Sequence, residues 1–499
     1  MSEPSAEQGE LGTSDLLRRA RIGVVAVTSR GMAIAALALG GQLFLTHLLV
    51  PADFGAAAIG LATVAFINLF ADGGLGAALI RRQEAPHRAE LQALSGLQVG
   101  IATALTMVVF AVAPFFGRVG WVTAVIVCSA PVLCLQIPAR IVLERSLRFE
   151  KVARIEVVQV LVFYVWAIGL VLGGGGVWGI ATAPLVRSLV GLILLTRASP
   201  MGTPAPRFSW KKARPLLRFG LQFQSVTALW LMREQGLNIG IAAVAGIGTL
   251  GLASLGRRVL EIPYLILHAL FRVSFPTMSK LVVKNDNLGE TLIKIVRVCA
   301  TGMGLGLAGL AASSPGVVPS LLGDNWADTA DMLPPACLGV LVGGSVSVAC
   351  QGYLFAREDA AAVVRSGLLQ TVTAFAVALP LVPWIGLWGF GLGLLASNAA
   401  GALVLARAVQ RHTGARLLRP LVTPTSASVL GGALGWWTTA ELGNTLVAGM
   451  LGGSVAMLVM AGVLAIVDRS LLIEVARVVR EMLGAVRRGQ PKTPDSTSR

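Results

Sequence analysis

Charge is what this sequence has least of. Only 13% of its 499 residues are Asp, Glu, Lys or Arg, about half the share usual in a soluble domain. Long polar stretches are missing as well, so no sizeable soluble domain fits between the hydrophobic runs. Cysteine is scarce. Cys128, Cys134, Cys299, Cys337 and Cys350 stand inside apolar segments with no two-residue spacing, which excludes a zinc site or a disulfide framework and leaves them as small buried residues. No Gly-x4-Gly-Lys-Ser/Thr pattern occurs, so there is no P-loop and no ground for ATP-driven transport by this chain. Nothing in the pattern asks for a cofactor or a metal.

Apolar residues are abundant instead. They make up 55% of the chain and raise its mean hydropathy to +0.76. A bilayer core of about 30 Å is crossed by roughly 20 consecutive apolar residues. Such stretches fall at 22–49, 55–80, 91–115, 119–139, 155–173, 177–196, 219–246, 249–279, 295–313, 332–355, 366–383, 386–406, 421–440 and 445–467. The expected fold is all-α and polytopic, with about fourteen transmembrane helices.

The net charge of +16 records orientation, and nucleic acid is not an expected partner. With the amino terminus inside, every Lys and Arg beyond the spans except Arg118 falls on an inner connection. Both termini are therefore expected in the cytoplasm, and the chain in the inner membrane. Asp324, Asp328 and Asp331 mark the longest external loop, and Trp121, Trp178, Trp326 and Trp384 sit where an outer aromatic belt would lie. Arg18 and Arg19 precede a span far longer than the core of a signal peptide, so the first helix should remain as an anchor. After the last span, Leu471, Leu472, Val475, Val478, Val479, Met482 and Val486 recur at helical spacing among Arg477, Arg480, Arg487 and Arg488. This predicts an amphipathic helix on the inner leaflet, followed by a disordered tail, together covering 469–499.

An internal duplication shows as short echoes. Arg154 and Gln159 recur as Arg365 and Gln370, and Gly176, Trp178 and Gly179 recur as Gly386, Trp388 and Gly389. A fainter echo pairs Asp53-Phe54-Gly55 with Thr249-Leu250-Gly251 at an offset of 196 residues. Parallel repeats of this kind build many transporters. The expected organisation is a cytoplasmic start at 1–21, an N-lobe of six helices at 22–196, a basic linker at 197–218, a C-lobe of six helices at 219–406 and two appended helices at 421–467. The two pseudo-symmetric lobes would flank a central cavity.

Gly304-x-Gly306-x2-Gly309 matches a dinucleotide fingerprint formally, but it lies mid-span without a preceding strand, and close helix packing explains it better. Ionisable residues inside spans say more, because each Arg or Asp near a helix centre costs roughly 2.5–3.5 kcal/mol on insertion scales. Arg258, Glu261, His268 and Arg272 fall on one face of the eighth span. They either line a wet cavity, or Glu261 neutralises Arg257 or Arg258 while Arg272 snorkels to an interface. Arg233 and Glu234, near Asn238, occupy the seventh span, Asn68 and Asp72 the second, and Arg30 and Arg187 the first and sixth. Set against Asp72, Glu234 and Glu261, the arginines leave an excess of positive charge suited to an anionic headgroup and not to an organic cation. His268 is expected to serve as a hydrogen-bonding group.

Pro51-Ala52-Asp53-Phe54-Gly55 followed by Asp72-Gly73-Gly74-Leu75-Gly76-Ala77-Ala78-Leu79-Ile80-Arg81-Arg82 resembles the first helical hairpin of bacterial polysaccharide exporters and lipid-linked oligosaccharide flippases. Glu144-Arg145-Ser146-Leu147-Arg148-Phe149 and Phe271-Arg272-Val273-Ser274-Phe275-Pro276 extend the likeness to that family, part of the multidrug, oligosaccharidyl-lipid and polysaccharide exporter superfamily. One departure is Leu252, where the family often has tyrosine. The resemblance implies two six-helix lobes, alternating access, and no enzymatic activity. Its implied substrate is an undecaprenyl-diphosphate-linked oligosaccharide, moved for surface polysaccharide biosynthesis. Implied partners are membrane lipids, a polysaccharide polymerase, glycosyltransferases, and H+ or Na+ as coupling ion. The alternatives are a peptidoglycan lipid-precursor flippase, a multidrug or cation antiporter of the same superfamily, and a membrane glycosyltransferase, for which the external loops are short.

Overall fold

The computed structural model describes residues 31, 33–74, 87–146, 148–207, 224, 228–261, 263–264, 267, 288–357, 359–443, 445–471 and 473. The described residues are overwhelmingly helical and contain no strand, and nine of their helices are long and apolar enough to cross a membrane. The chain divides into two compact units, Met1–Ser254 and Leu255–Arg499, and the division falls inside the helix at 247–261.

In the first unit, α1 (33–48) leads into α2 (Pro51–Asp72). Pro51 opens α2 because its missing N–H is one of the donors left unpaired at a helix start in any case. Gly73, at φ 51°, ends the helix and returns its N–H to the Leu69 carbonyl. α3 (Arg88–Val112) runs to a tight turn at Ala113–Phe116 and Gly117. The single span expected over 119–139 is two helices, α4 (Gly117–Val127) and α5 (Ser129–Arg145). Pro131 cannot donate to the Val127 carbonyl, and Cys128 N turns back to Val125 O at 3.3 Å, a kink that hydropathy does not register. α6 (Phe149–Leu170) and α7 (Val177–Ala198) form a hairpin whose reversal uses Gly174 at φ 86° and Gly176 at φ 52°. A helical run at 228–245 contains a wide π-type turn at Met232–Gly236 and ends as α8 (Leu237–Ala245). α9 covers 247–261.

The second unit continues with α10 (Leu288–Leu322), α11 (Thr329–Ala356), α12 (Ala360–Ile385), α13 (Leu387–Thr413), α14 (Val422–Glu441) and α15 (Leu446–Val467). Side chains cap two of these helices: Asp359 accepts from Ala362 N and Thr445 from Ala448 N, both at 3.2 Å. Lipid removes most of the hydrophobic drive between helices, so small residues set the packing. A Cβ on Gly316 would strike Gly449, one on Gly435 the Gly452 carbonyl, and one on Gly304 would meet Met460 and Ser428. Gly304 and Gly309 therefore serve close packing as expected, while Gly306 faces open space. Trp326 departs from the expected aromatic belt: it is wholly buried in the turn between α10 and α11, whereas Trp384 is exposed.

The duplication is visible in the backbone. Gly176 (φ 52°, ψ −132°) and Gly386 (φ 59°, ψ −141°) adopt the same conformation at the starts of α7 and α13. Gly179 N and Gly389 N return to the Gly176 and Gly386 carbonyls at 3.1 and 3.0 Å. The carboxamide of Gln159 fills the space beside Gly191, and that of Gln370 fills the space beside Gly401.

Candidate functional site

Two helices that carry candidate residues, α2 and α9, cross at their first turns. A Cβ on Gly55 would run into the Ile247 carbonyl, and one on Gly251 into the Pro51 carbonyl, so only glycine permits this approach. Asp53, in the first turn of α2, accepts Arg118 Nη2 at 3.1 Å, which ties the same end of α2 to α4.

Arg187 is half-buried on α7, within electrostatic reach of Glu156 and Tyr164 on α6. Glu156 accepts Arg140 Nη2 at 2.7 Å, while Arg140 Nε donates to Glu144 at 2.7 Å. One turn deeper the contacts become neutral: Gln136 Nε2 donates to the Ser188 carbonyl at 2.7 Å and Gln159 Nε2 to Gln136 Oε1 at 3.3 Å. The sequence reading missed Glu156, which lies two residues inside the fifth span and offsets part of the positive excess. The Arg140–Glu144 spacing of one helical turn signals an ion-pair face there, but gives no sign of a third member from another helix.

Arg233 and Glu234 lie in the wide turn before α8. A five-residue turn of this kind re-aims side chains and recurs at functional positions. The Arg233 guanidinium stands 4.9 Å from the Trp230 ring centroid and 3.7 Å from Glu234 Oε1. This combines a cation–π contact with a loose ion pair. Asn238 donates to Gln235 Oε1 at 3.0 Å. On α9, Arg258 is half-buried and Glu261 exposed, one turn apart. Their expected stripe partners His268 and Arg272 lie outside the described residues, as do Arg30, linker residues 208–218 and nearly all of the expected terminal amphipathic helix.

Asp72 ends α2, where its Oδ1 accepts Gln98 Nε2 at 3.0 Å and its Oδ2 accepts Gly74 N at 3.2 Å. Among the described residues no three His, Cys, Asp or Glu side chains converge as metal ligands. Chemically, the described arginines offer multidentate donors for anionic oxygen inside apolar helices, with carboxylates close to Arg187 and Arg233.

Long apolar helices carrying such groups define a multi-pass membrane protein, and its fold is that of known transporters. The lipid II flippase MurJ in an inward closed conformation matches with a TM-score of 0.69 at 13% identity, over 90% of this chain and 99% of that one. An inward-facing multidrug resistance MATE family transporter of the MOP superfamily matches with a TM-score of 0.55 at 16% identity, over 82% and 99%.

Within that class the chain belongs to the polysaccharide biosynthesis protein family, whose profile matches residues 44–331. The succinoglycan biosynthesis transport protein ExoT of Rhizobium meliloti (strain 1021) is 25% identical over 295 residues, 57% of this chain and 58% of that protein. The teichuronic acid biosynthesis protein TuaB of Bacillus subtilis (strain 168) is 25% identical over 272 residues, 52% and 56% respectively. The matches thus span little more than half the length of these relatives.

Proposed function

We propose that the chain is a flippase that moves an undecaprenyl-diphosphate-linked oligosaccharide across the cytoplasmic membrane for surface polysaccharide biosynthesis. The observation that carries this reading is the placement of Arg187, Arg233 and Arg258, each only partly exposed, within apolar helices of a polysaccharide biosynthesis family member. A guanidinium at that depth is costly unless it meets water or an anion, and a diphosphate supplies planar-fork acceptors for several at once. Family membership and the transport protein ExoT among the relatives support the glycan substrate.

The lobes at 22–196 and 219–406 work by alternating access, with Arg30, Arg187, Arg233, Arg258 and Arg272 as candidate phosphate ligands. Glu234 and Glu261 hold neighbouring guanidinia in place when phosphate is absent, and His268 hydrogen-bonds the sugar or phosphate. Both termini face the cytoplasm, the appended helices 421–467 contact membrane lipid, and a polymerase and glycosyltransferases work on either side of the step. The chain itself makes and breaks no covalent bond.

The test is a chromosomal deletion, with lipid-linked glycan measured in spheroplasts by a membrane-impermeant glycosidase. The expected result is intact glycan that the glycosidase cannot reach, together with loss of surface polymer. Unchanged surface polymer and unchanged glycosidase access contradict the proposal. Loss of peptidoglycan synthesis with surface polymer retained would reassign the chain to the peptidoglycan lipid precursor.

A further inference from the structure

A cavity of about 440 Å³ lies within the second unit, bounded by Leu307 of α10, Pro334 and Pro335 of α11, Trp388 of α13, and Gly432 and Trp436 of α14. It opens to the side, because Val429 and Ala433 in its α14 wall are exposed. The walls do not close over it. Gly432 offers no side chain, and a Cβ there would meet nothing within 4 Å. Open space of this kind forfeits dispersion contacts until something fills it, and its volume falls in the range that encloses small apolar ligands. Beside an apolar helix of a multi-pass membrane protein the neighbour is lipid, and the part of a lipid that fits an apolar groove is an acyl chain.

The mouth of the groove is polar and negative. Trp388 and Trp436 meet there edge to face, with ring centroids 6.0 Å apart. Indoles favour the boundary between headgroups and hydrocarbon, which sets the mouth at headgroup level and the cavity beneath it. Half-buried Asp331, one turn before the prolines, lies within reach of the Trp388 indole and of exposed Asp328. Neither carboxylate has an ion-pair partner among the described residues. Asp331 also carries a carbonyl that its own helix does not serve at the usual spacings. The donors three and four residues on would be Pro334 and Pro335, which have no N–H.

We propose that this groove binds a phospholipid with a primary ammonium headgroup, of the phosphatidylethanolamine class. An acyl chain fills the cavity, and the ammonium donates to the carboxylate and the carbonyl of Asp331. An ammonium has three donors and no acceptor, which matches this acceptor pair. A quaternary choline carries the same charge but has no N–H to donate. The negative rim repels an anionic headgroup such as phosphatidylglycerol or a carrier-lipid diphosphate, so the groove is distinct from the arginine sites proposed for the substrate. In the proposed topology the lipid belongs to the outer leaflet, but its binding does not depend on transport.

The test uses the full-length purified protein in detergent. It is titrated with phosphatidylethanolamine, phosphatidylcholine or phosphatidylglycerol of identical acyl chains. Native mass spectrometry counts the retained lipid, and thermal unfolding is followed in parallel, since a ligand that binds the folded chain alone raises its melting temperature. The expected result is about one retained phosphatidylethanolamine per chain, half-saturating at a roughly tenfold lower concentration than either other lipid. Asp331→Asn keeps the shape of the side chain and should bring the three lipids to similar affinity. Gly432→Leu fills the groove and should abolish retention. Should Asp331→Asn fail to fold, the wild-type preference and Gly432→Leu decide. Equal affinity of the wild type for the three lipids overturns the site, as does a preference for phosphatidylglycerol. Retention that survives Gly432→Leu, a preference that survives Asp331→Asn, or displacement by undecaprenyl phosphate at equal concentration does so too. Flipping is read separately: a chain that keeps this lipid and flips nothing defeats the transport reading and leaves the site standing.

Discussion

Gly55 and Gly251 face each other reciprocally, each lying against the backbone carbonyl of the residue one turn before the other. Gly251 meets Pro51, and Gly55 meets Ile247. Reciprocity of this kind is the signature of a two-fold relation. Pro51 matches Ile247, and Gly55 matches Gly251, at the offset of 196 residues that aligns Asp53-Phe54-Gly55 with Thr249-Leu250-Gly251. A faint echo in sequence is thus a symmetric contact in space, in which α2 and α9 can approach only because both positions lack a side chain.

Adding one methyl at either glycine should separate the two helices. Gly55→Ala and Gly251→Ala are each expected to lower stability by about 1–3 kcal/mol, the usual cost of overpacking. Gly248→Ala, where a Cβ would meet nothing within 4 Å, serves as the control. Thermal unfolding of the purified variants measures this. Equal melting temperatures for Gly248→Ala and Gly251→Ala would contradict the contact.

The Arg140–Glu156–Arg187 group predicts non-additive energetics. Glu156→Gln removes the negative charge that pairs with Arg140 and lies near Arg187, so it should cost more than Arg140→Ala, whose side chain is about half exposed. Arg187→Gln added to Glu156→Gln should recover part of the loss. A coupling of about 1 kcal/mol or more in this double-mutant cycle is expected, and strict additivity would show that the two residues do not interact.

Much of this was legible in the sequence. Hydropathy located the helices because lipid demands a nearly unbroken apolar run. Glycine positions such as Gly176 and Gly386 revealed the repeat because their positive φ angles require that residue. The kink at Cys128 was not legible, since it arises from one missing donor at Pro131 inside an apolar stretch. Nor was the role of Gln98, whose importance comes from a partner, Asp72, on a different helix. Trp326 misled because its flanking acidic residues suggested an interface, whereas a local turn draws the ring inside. Local patterns report what each helix requires of its solvent; contacts between helices need the fold.

The arginines proposed to hold diphosphate make a sharper prediction. Arg258→Ala and Arg272→Ala should each cut export while membrane abundance stays normal. The loss of one charge-assisted contact, about 1.5–3 kcal/mol, corresponds to roughly a ten- to hundredfold fall. Arg258→Lys should recover only part, because an ammonium cannot grip two phosphate oxygens in one plane. Surface polymer and immunoblot of the membrane fraction check this, and normal export by both alanine variants would assign the pair to structure.

Reconstituted flipping tests the central claim most directly. The purified chain is placed in liposomes loaded on one leaflet with undecaprenyl-diphosphate oligosaccharide, and an impermeant glycosidase reports what reaches the other. Transfer by the wild type, with the Arg258→Ala protein at the level of empty liposomes, is the predicted result. Transfer equal in wild-type and empty liposomes, with the protein folded and oriented, would contradict it.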